Sequence, residues 1–566
     1  MNATTPAIVT QSAVRRLPRL ILLMFCLAYV LPGFLGREPW KVNDVEAFGA
    51  MLGMASGSGL GIPQVLGVPL GETGPLPFWL GAAAIQALPF LSPDLAVRLA
   101  FAALLALTLA LTWYAVFHLA RQPAAQPVTL AFGGEAHPTD YARALADAGL
   151  LALMASLGLA QLGHETTPDL VRLCATAAAL YGAARLALPD GLWSGAGWLG
   201  WVLGLGALVS SGAPWLALAL GAVLPLLLVI APQPPGAAAG RVRLQRMAML
   251  LAAAVLCGLG VWALPQSWFA LTDTTFAGWQ RWSRLLLWFA WPAWPLALWT
   301  LWRWRRQWRA PHLALPLWVV ACLVLDSAFN PGFDRALLLS LPAWAALAAF
   351  ALPTLRRSMS ALIDWFTLLF FSSCALIVWV VWLSMMTGVP AKPAANVARL
   401  APGFVPEFSF GLLLVAALAT GAWLVLVAWR VGAHRKALWK SLVLPAAGST
   451  LCWLLLMSLW LPLLDHARSY GPISRRIASL VPPGNCVLVD GLSQAQIAAL
   501  GYHGRLTLVR TDSAESGQAC RTLVVDPDSQ PTLDERVQLT DWAFRATVRR
   551  LTDRKESLLI YQRVRH

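Results

Sequence analysis

Residues 20–51 read LILLMFCLAYVLPGFLGREPWKVNDVEAFGAM: an apolar run, then two carboxylates, Asp44 and Glu46, just beyond its end. Apolar runs of roughly 18–25 residues recur over the first 460 positions, the length a helix needs to cross a bilayer core. The chain of 566 residues is 58% hydrophobic and only 12% charged, whereas soluble domains carry about 25% charged residues. The reading is a polytopic all-α membrane protein. A membrane β-barrel would instead show alternating segments of about ten residues.

The formal charge of +15 is not pooled in one patch. It sits in short clusters between apolar runs: Arg15, Arg16 and Arg19; Arg241, Arg243 and Arg246; Arg303, Arg305, Arg306 and Arg309; Arg356 and Arg357; Arg430, Arg435, Lys436 and Lys440. Cytoplasmic loops look this way under the positive-inside rule, so no nucleic-acid partner is implied. The N-terminus is basic and then apolar like a signal peptide. It lacks a small-residue cleavage site, and Arg37, Glu38 and Pro39 follow at once, which points to a retained signal-anchor.

About thirteen spans are expected, near 20–36, 95–119, 144–162, 169–187, 193–210, 214–231, 246–264, 283–302, 312–329, 336–353, 362–386, 408–429 and 441–463. With the N-terminus cytoplasmic, every basic cluster then falls on the cytoplasmic side and the tail on the other. The outer segment 37–94 contains the helix-like VEAFGAMLGMA. It also contains LPFWLGAAAIQALPF, which is too short to span and suits a helix lying along the membrane.

Two domains are expected: a transmembrane domain, 1–464, including the outer-face loop 37–94, and a small α/β domain, 465–566. In the latter, the β-like runs CVLVD, LTLVR, RTLVVD and SLLIYQRV alternate with a helix-like SQAQIAALG. Cys486 and Cys520 each stand at or near the start of such a run. In an oxidising compartment they would form a disulfide, with two buried thiols as the alternative. The other six cysteines lie in or beside apolar runs and pack as small hydrophobes.

Acidic residues are scarce and concentrate on the outer face, where three clusters stand out. Asp44 with Glu46 supplies a general base toward a hydroxyl, or Asn43 or Asp44 caps the helix that follows. In GHETTPD, 163–169, Thr167-Pro168-Asp169 is a helix start. Glu165 and Asp169 could equally bind a divalent cation or orient a substrate; His164 alone is weak evidence for a metal. In GETGPLPFW, 71–79, Glu72 sits among turn formers. Trp268, Trp279 and Trp282 are candidates for stacking on sugar rings, and Asp326, Asp334 and Arg335 for an outer ion pair.

In this order the pieces resemble the GT-C integral-membrane glycosyltransferases, of the lipid A aminoarabinose transferase and protein O-mannosyltransferase type. The resemblance rests on NDVEAF (Asp44), GVPLGETGPLPFW (Glu72, Pro75, Trp79), DLAVRLAFAALL (Arg98), GHETTPDLVRL (Asp169), VSSGAPW (209–215) and FDRALLLSLPAWAALAA (Arg335, Pro342). It covers essentially the whole chain. It departs where the family has lysines thought to hold the lipid phosphate: Glu72 is followed by Thr73, and Ser211 stands before the Gly-Pro turn. Arg98, Arg281, Arg284 or Arg335 would take that role, since a guanidinium fork matches phosphate.

The resemblance implies an inverting glycosyltransferase in the bacterial inner membrane, with the C-terminal domain periplasmic. The implied donor is a sugar on a polyprenyl (undecaprenyl) phosphate, and the implied acceptor is a lipid (lipid A), an envelope glycan or a protein. It implies Asp44 and Asp169 as catalytic, with Glu46, Glu72, Arg98, Glu165 and Arg335 binding substrate, and no certain cofactor beyond a divalent cation at Glu165 and Asp169. The alternatives are a transporter or flippase for a lipid-linked sugar, or a catalytically degenerate GT-C assembly protein.

Overall fold

Proline decides where the apolar runs break. The computed structural model describes residues 5–564 apart from 41, 58, 60, 72, 192–193, 231–238, 264–275, 330–332, 433–436 and 513–519. Its helices are α1 (Arg19–Val30), α2 (Asn43–Ala55), α3 (Leu76–Ala87), α4 (Pro93–Ala120), α5 (Pro138–Ala155), α6 (Leu157–Leu162), α7 (Pro168–Leu186), α8 (Gly195–Ser210), α9 (Pro214–Ile230), α10 (Ala239–Ala263), α11 (Phe276–Phe289), α12 (Ala293–Arg303), α13 (Pro311–Phe329) and α14 (Phe333–Ala349). They continue with α15 (Arg357–Thr387), α16 (Ala391–Leu400), α17 (Phe410–Gly432), α18 (Lys440–Leu459), α19 (Leu461–Arg468), α20 (Gly471–Ala478) and α21 (Gln494–Tyr502).

Helix occurs at each expected run, but among the described residues only seven helices are long and apolar enough to cross a membrane, or eight if the bent pair α11–α12 counts as one span. Three runs differ from expectation for identifiable reasons. The first helix proper ends at Val30 and tightens into a 3-10 turn, Leu31–Gly33, because Pro32 has no N–H to continue the ladder. The run at 144–162 starts earlier, with Pro138 in the first turn of α5, and breaks at the extended Ser156. The run at 283–302 is two helices bent by 85°: Pro292 ends α11, while Pro295 is tolerated in the first turn of α12.

The chain divides into two compact units. The first comprises Met1–Phe34, Phe101–Leu376 and Leu414–Met457. Within it α14 is deeply enclosed, with 83% of its apolar window buried. The windows of α15 and α17 are only 22% and 11% buried despite their apolar composition, as lipid-facing helices would be. Helices α7 and α8 pack through glycines: a Cβ on Gly182 would lie 2.4 Å from the Trp201 backbone nitrogen, and one on Gly204 would lie 2.6 Å from that of Ala179. Small residues at such crossings let helix backbones approach where lipid supplies no hydrophobic drive.

The second unit comprises Leu35–Ala100, Ile377–Leu413 and Ser458–His566, so packing groups the outer segment with the C-terminal region. A short hairpin, β1 (Gln64–Val65) and β2 (Val68–Pro69), precedes a five-stranded sheet built from β3 (Val487–Asp490), β4 (Leu508–Arg510), β5 (Thr522–Val525), β6 (Trp542–Arg550) and β7 (Asp553–Arg563). The sheet order is β4-β3-β5-β7-β6, with β3 parallel to both β4 and β5, and β7 antiparallel to β5 and β6. Strand β6 was not expected: as an edge strand it keeps most of its side chains exposed and carries three arginines, a composition that blunts edge pairing and hides the β pattern. Ser493 and Gln496 form a reciprocal capping box that starts α21. Cys486 and Cys520 are joined as a disulfide next to the paired residues Val487 and Thr522.

Candidate active-site residues

In the second unit, Asp44 occupies the first turn of α2 and is 2% exposed. A carboxylate so buried must be paired and hydrogen-bonded. Arg37 Nη2 donates to its Oδ2 at 2.6 Å, and the Trp40 backbone N–H donates to the same oxygen at 3.1 Å. The capping alternative is corrected here: the N-cap is Val42, without a side-chain cap bond, and the Asp44 carboxylate reaches back to residues before the helix. Asp44 and Glu46 still sit at the positive end of the helix dipole. Glu46 is half-buried, and burial pushes its carboxyl upward.

Arg37 is fully buried, its guanidinium 4.5 Å above the Trp40 ring. Its Nε and Nη1 have no hydrogen-bond partner, nor has the buried Nη1 of Arg98. Arg98 donates through Nη2 to the Asp94 carboxylate and through Nε to the Asp94 carbonyl at 3.0 Å. The Tyr502 hydroxyl donates to Asp94 at 2.8 Å, and its ring meets Phe48 edge-on at 4.8 Å, so α21 ties α2 to the head of α4. Trp40 Nε1 donates to Asp465 at 2.7 Å. Burial, with the nearby charge of Glu38, pushes the Asp465 carboxyl up to about 6 against the opposing Trp40 bond.

In the first unit, Glu165 (6% exposed) and Asp169 (8%) share one cation. Arg335 Nη1 donates to Asp169 at 2.6 Å and Nη2 to Glu165 at 3.1 Å, across separations of 166 and 170 residues. Arg335 thus reaches beyond the acids expected as its partners; Asp334 accepts the Arg335 backbone N–H at 3.0 Å, and its charge adds to that of Asp169 and Glu165 at the guanidinium. Arg172 adds a bond to Asp169 at 3.3 Å and two to the Ser211 carbonyl, at 3.0 and 2.6 Å. That carbonyl is presented by the end of α8, where Gly212 takes φ +82° and the Gly212 and Ala213 N–H groups return to Val209 and Leu208, a Schellman ending. Two buried hydroxyls here, Thr167 Oγ1 and Ser211 Oγ, have no partner.

The donor set does not suit a metal. Both carboxylates face guanidinium groups, and both nitrogens of His164 lie against backbone carbonyls, Ala160 at 2.5 Å and Tyr29 at 3.0 Å. Its ring is fully buried against Tyr29, Phe34 and Trp453. Among the described residues no group of three or more His, Cys, Asp or Glu side chains is placed to hold a metal ion.

Of the predicted residues, Glu165, Asp169 and Arg335 come together in the first unit, and Asp44, Glu46 and Arg98 lie in the second. Glu72 and Trp268 lie outside the described residues. Arg281 and Arg284 are exposed on α11, and Trp282 donates to Ser327 at 3.0 Å. The residues missed were Arg37, Trp40 and Asp465. An arginine directly beyond an outward-going span runs against the positive-inside rule, and that was the available signal for Arg37.

No family model matches this sequence, and no curated relative matches it. Among solved structures, ArnT from Cupriavidus metallidurans in the apo state aligns with a TM-score of 0.61 at 16% identity, covering 96% of this chain and 97% of that one. The same protein bound to undecaprenyl phosphate aligns at 0.61 and 14% identity over the same shares. The oligosaccharyltransferase of Archaeoglobus fulgidus aligns at 0.42 and 10% identity, covering 90% of this chain and 69% of that one. At these identities the likeness to ArnT is one of fold.

Proposed function

We propose that this chain, which has the GT-C fold its motifs resemble, is an inverting glycosyltransferase with a polyprenyl-phosphate sugar as donor. It works with about thirteen spans in a bacterial inner membrane, its acceptor hydroxyl and its C-terminal domain on the periplasmic face. The observation that carries the reading is the Asp44 site: a buried carboxylate fixed by Arg37, with three guanidinium nitrogens of Arg37 and Arg98 left unpaired. Buried donors without partners are rare in native structures and call for an explanation; an anionic ligand supplies one. The ArnT structure with undecaprenyl phosphate supports the lipid class of donor.

In this mechanism Asp44 takes the proton of the acceptor hydroxyl as its oxygen attacks the anomeric carbon. The bond from that carbon to the phosphate oxygen breaks, and the lipid phosphate leaves with the electron pair. Arg37 and Arg98 receive its charge, as arginine forks match phosphate oxygens. One displacement inverts the anomeric centre, by analogy with single-step glycoside chemistry. Glu46, two residues on in the first turn of α2, helps shape this site. For the cluster in the first unit, the resemblance assigns Asp169, Glu165 and Arg335 to substrate, and the unpaired hydroxyls of Thr167 and Ser211 suit the hydroxyls of a sugar.

The test is release of undecaprenyl phosphate by the purified chain from a panel of undecaprenyl-phosphate sugars, with Asp44→Asn beside it. Equal transfer by both proteins would remove Asp44 as the base. Protein-dependent translocation of the intact lipid-linked sugar, with no lipid phosphate released, would favour the flippase reading.

A further inference from the structure

The C-terminal region carries a second basic site that the proposed reaction does not use. A cleft with about 350 Å³ of space open to solvent lies between α20 and the turn of the β6–β7 hairpin. Arg550 lines it at 5% exposure, held by Glu556 at 2.7 Å and by the carbonyl of Ala467 at 2.8 Å, while its Nε is a buried donor without a partner. Two exposed arginines, Arg476 and Arg549, line the same cleft with His466 and Thr552. The described residues lining the cleft include three arginines and no acid.

One wall adjoins the segment 400–410, which is apolar apart from the exposed Glu407 and Ser409. Leu551 of the cleft packs against Gly403, His466 Nε2 contacts the Pro402 carbonyl at 3.1 Å, and the His466 ring lies 5.6 Å from that of Phe404. Around this point Leu400, Val405, Phe408 and Phe410 are 62–77% exposed. The preceding α16 is amphipathic and carries Lys392 and Arg399 with no acid. Exposed apolar side chains beside basic ones mark a surface that lies in the membrane interface.

We propose that this cleft holds the phosphate of a membrane-lipid headgroup, with the 400–410 segment against the acyl chains. Arg476 and Arg549 bind the phosphate oxygens, Arg550 forms the buried floor, and Val405 and Phe408 contact the lipid body. This site is independent of the transfer reaction, so a chain that transfers no sugar can still pass its test.

The test is titration of the full chain in detergent with dioctanoyl phosphatidic acid, dioctanoyl phosphatidylcholine and inorganic phosphate, followed by native mass spectrometry. Phosphatidic acid is expected to bind best, and Arg476→Gln/Arg549→Gln to weaken it roughly 10- to 30-fold, from about 1 kcal/mol per surface cation. Both arginines are exposed, so the variant should keep the parent's melting temperature; Arg476→Gln alone serves if it does not. Val405→Ser/Phe408→Ser should weaken the lipid and leave inorganic phosphate unchanged. Unaltered phosphatidic acid binding in the arginine variant would overturn the site. Inorganic phosphate binding as tightly as the lipid would overturn the lipid as its occupant.

Discussion

The two carboxylate clusters are built from the same residue types and solve different problems. At Glu165 and Asp169 the charges are matched, two acids against Arg335 and Arg172, and what remains unpaired is neutral: the hydroxyls of Thr167 and Ser211. At Asp44 the acid is matched by Arg37, and what remains unpaired is cationic: nitrogens of Arg37 and Arg98. The first arrangement suits polar, uncharged groups and the second an anion. Residues of one chemical kind therefore acquire different duties from what their neighbours leave unsatisfied.

The strongest way to break this comparison is to exchange the acids for amides. Asp44→Asn should cost about 10²- to 10⁴-fold in transfer rate, the span of a general base, and Asp169→Asn mainly a rise in KM. A larger kcat loss at Asp169, measured by release of lipid phosphate, would reverse the assignment. Next comes Arg37→Met, which strands a buried carboxylate at a cost of about 3–5 kcal/mol, read as a fall in thermal stability by tryptophan fluorescence. Adding Asp44→Asn to it should recover stability without activity. Opening the disulfide with Cys486→Ser/Cys520→Ser should cost about 2–4 kcal/mol, given the 34-residue separation. That loss should appear as earlier melting of the second unit.

The smallest effect is one of pH. Burial raises Asp465 in the fold to about 6 from 3.8, so the folded chain binds this proton more tightly than the unfolded one. Stability from this group therefore rises as pH falls from about 6 toward 3.8, levels off below that, and carries its full penalty above 6. Asp465→Asn should flatten that slope in melting curves between pH 4 and 6.5, and an unchanged slope would show another group at work.

Much of the helical framework was legible because apolar length is a property of local sequence. The breaks were less so: the WPAWP stretch carries its prolines openly, yet hydropathy averages over them. Side-chain pairing was mostly hidden. Nothing near Arg335 indicates carboxylates 166 and 170 residues away, and Asp465 meets Trp40 across 425 residues. Strand β6 went unseen because an edge strand satisfies one side with solvent and needs little apolar alternation. Asp44 was found by its position after a span, whereas its partner Arg37 was passed over as a flanking charge.

The bond from Tyr502 to Asp94 joins residues 408 positions apart, and it gives the molecule an order of assembly. Residues 37–55 are made several hundred residues before their packing partners on α21. At about 5–20 residues per second, the ribosome takes roughly 20–80 s to cover that distance. Throughout that interval Asp94 lacks the Tyr502 hydroxyl and the Trp40 indole lacks Asp465. A chain stopped before α21 would lack the Tyr502 bond and the packing of α21 on α2. The surroundings of Asp44 thus close only when segments translated more than 400 residues apart have met.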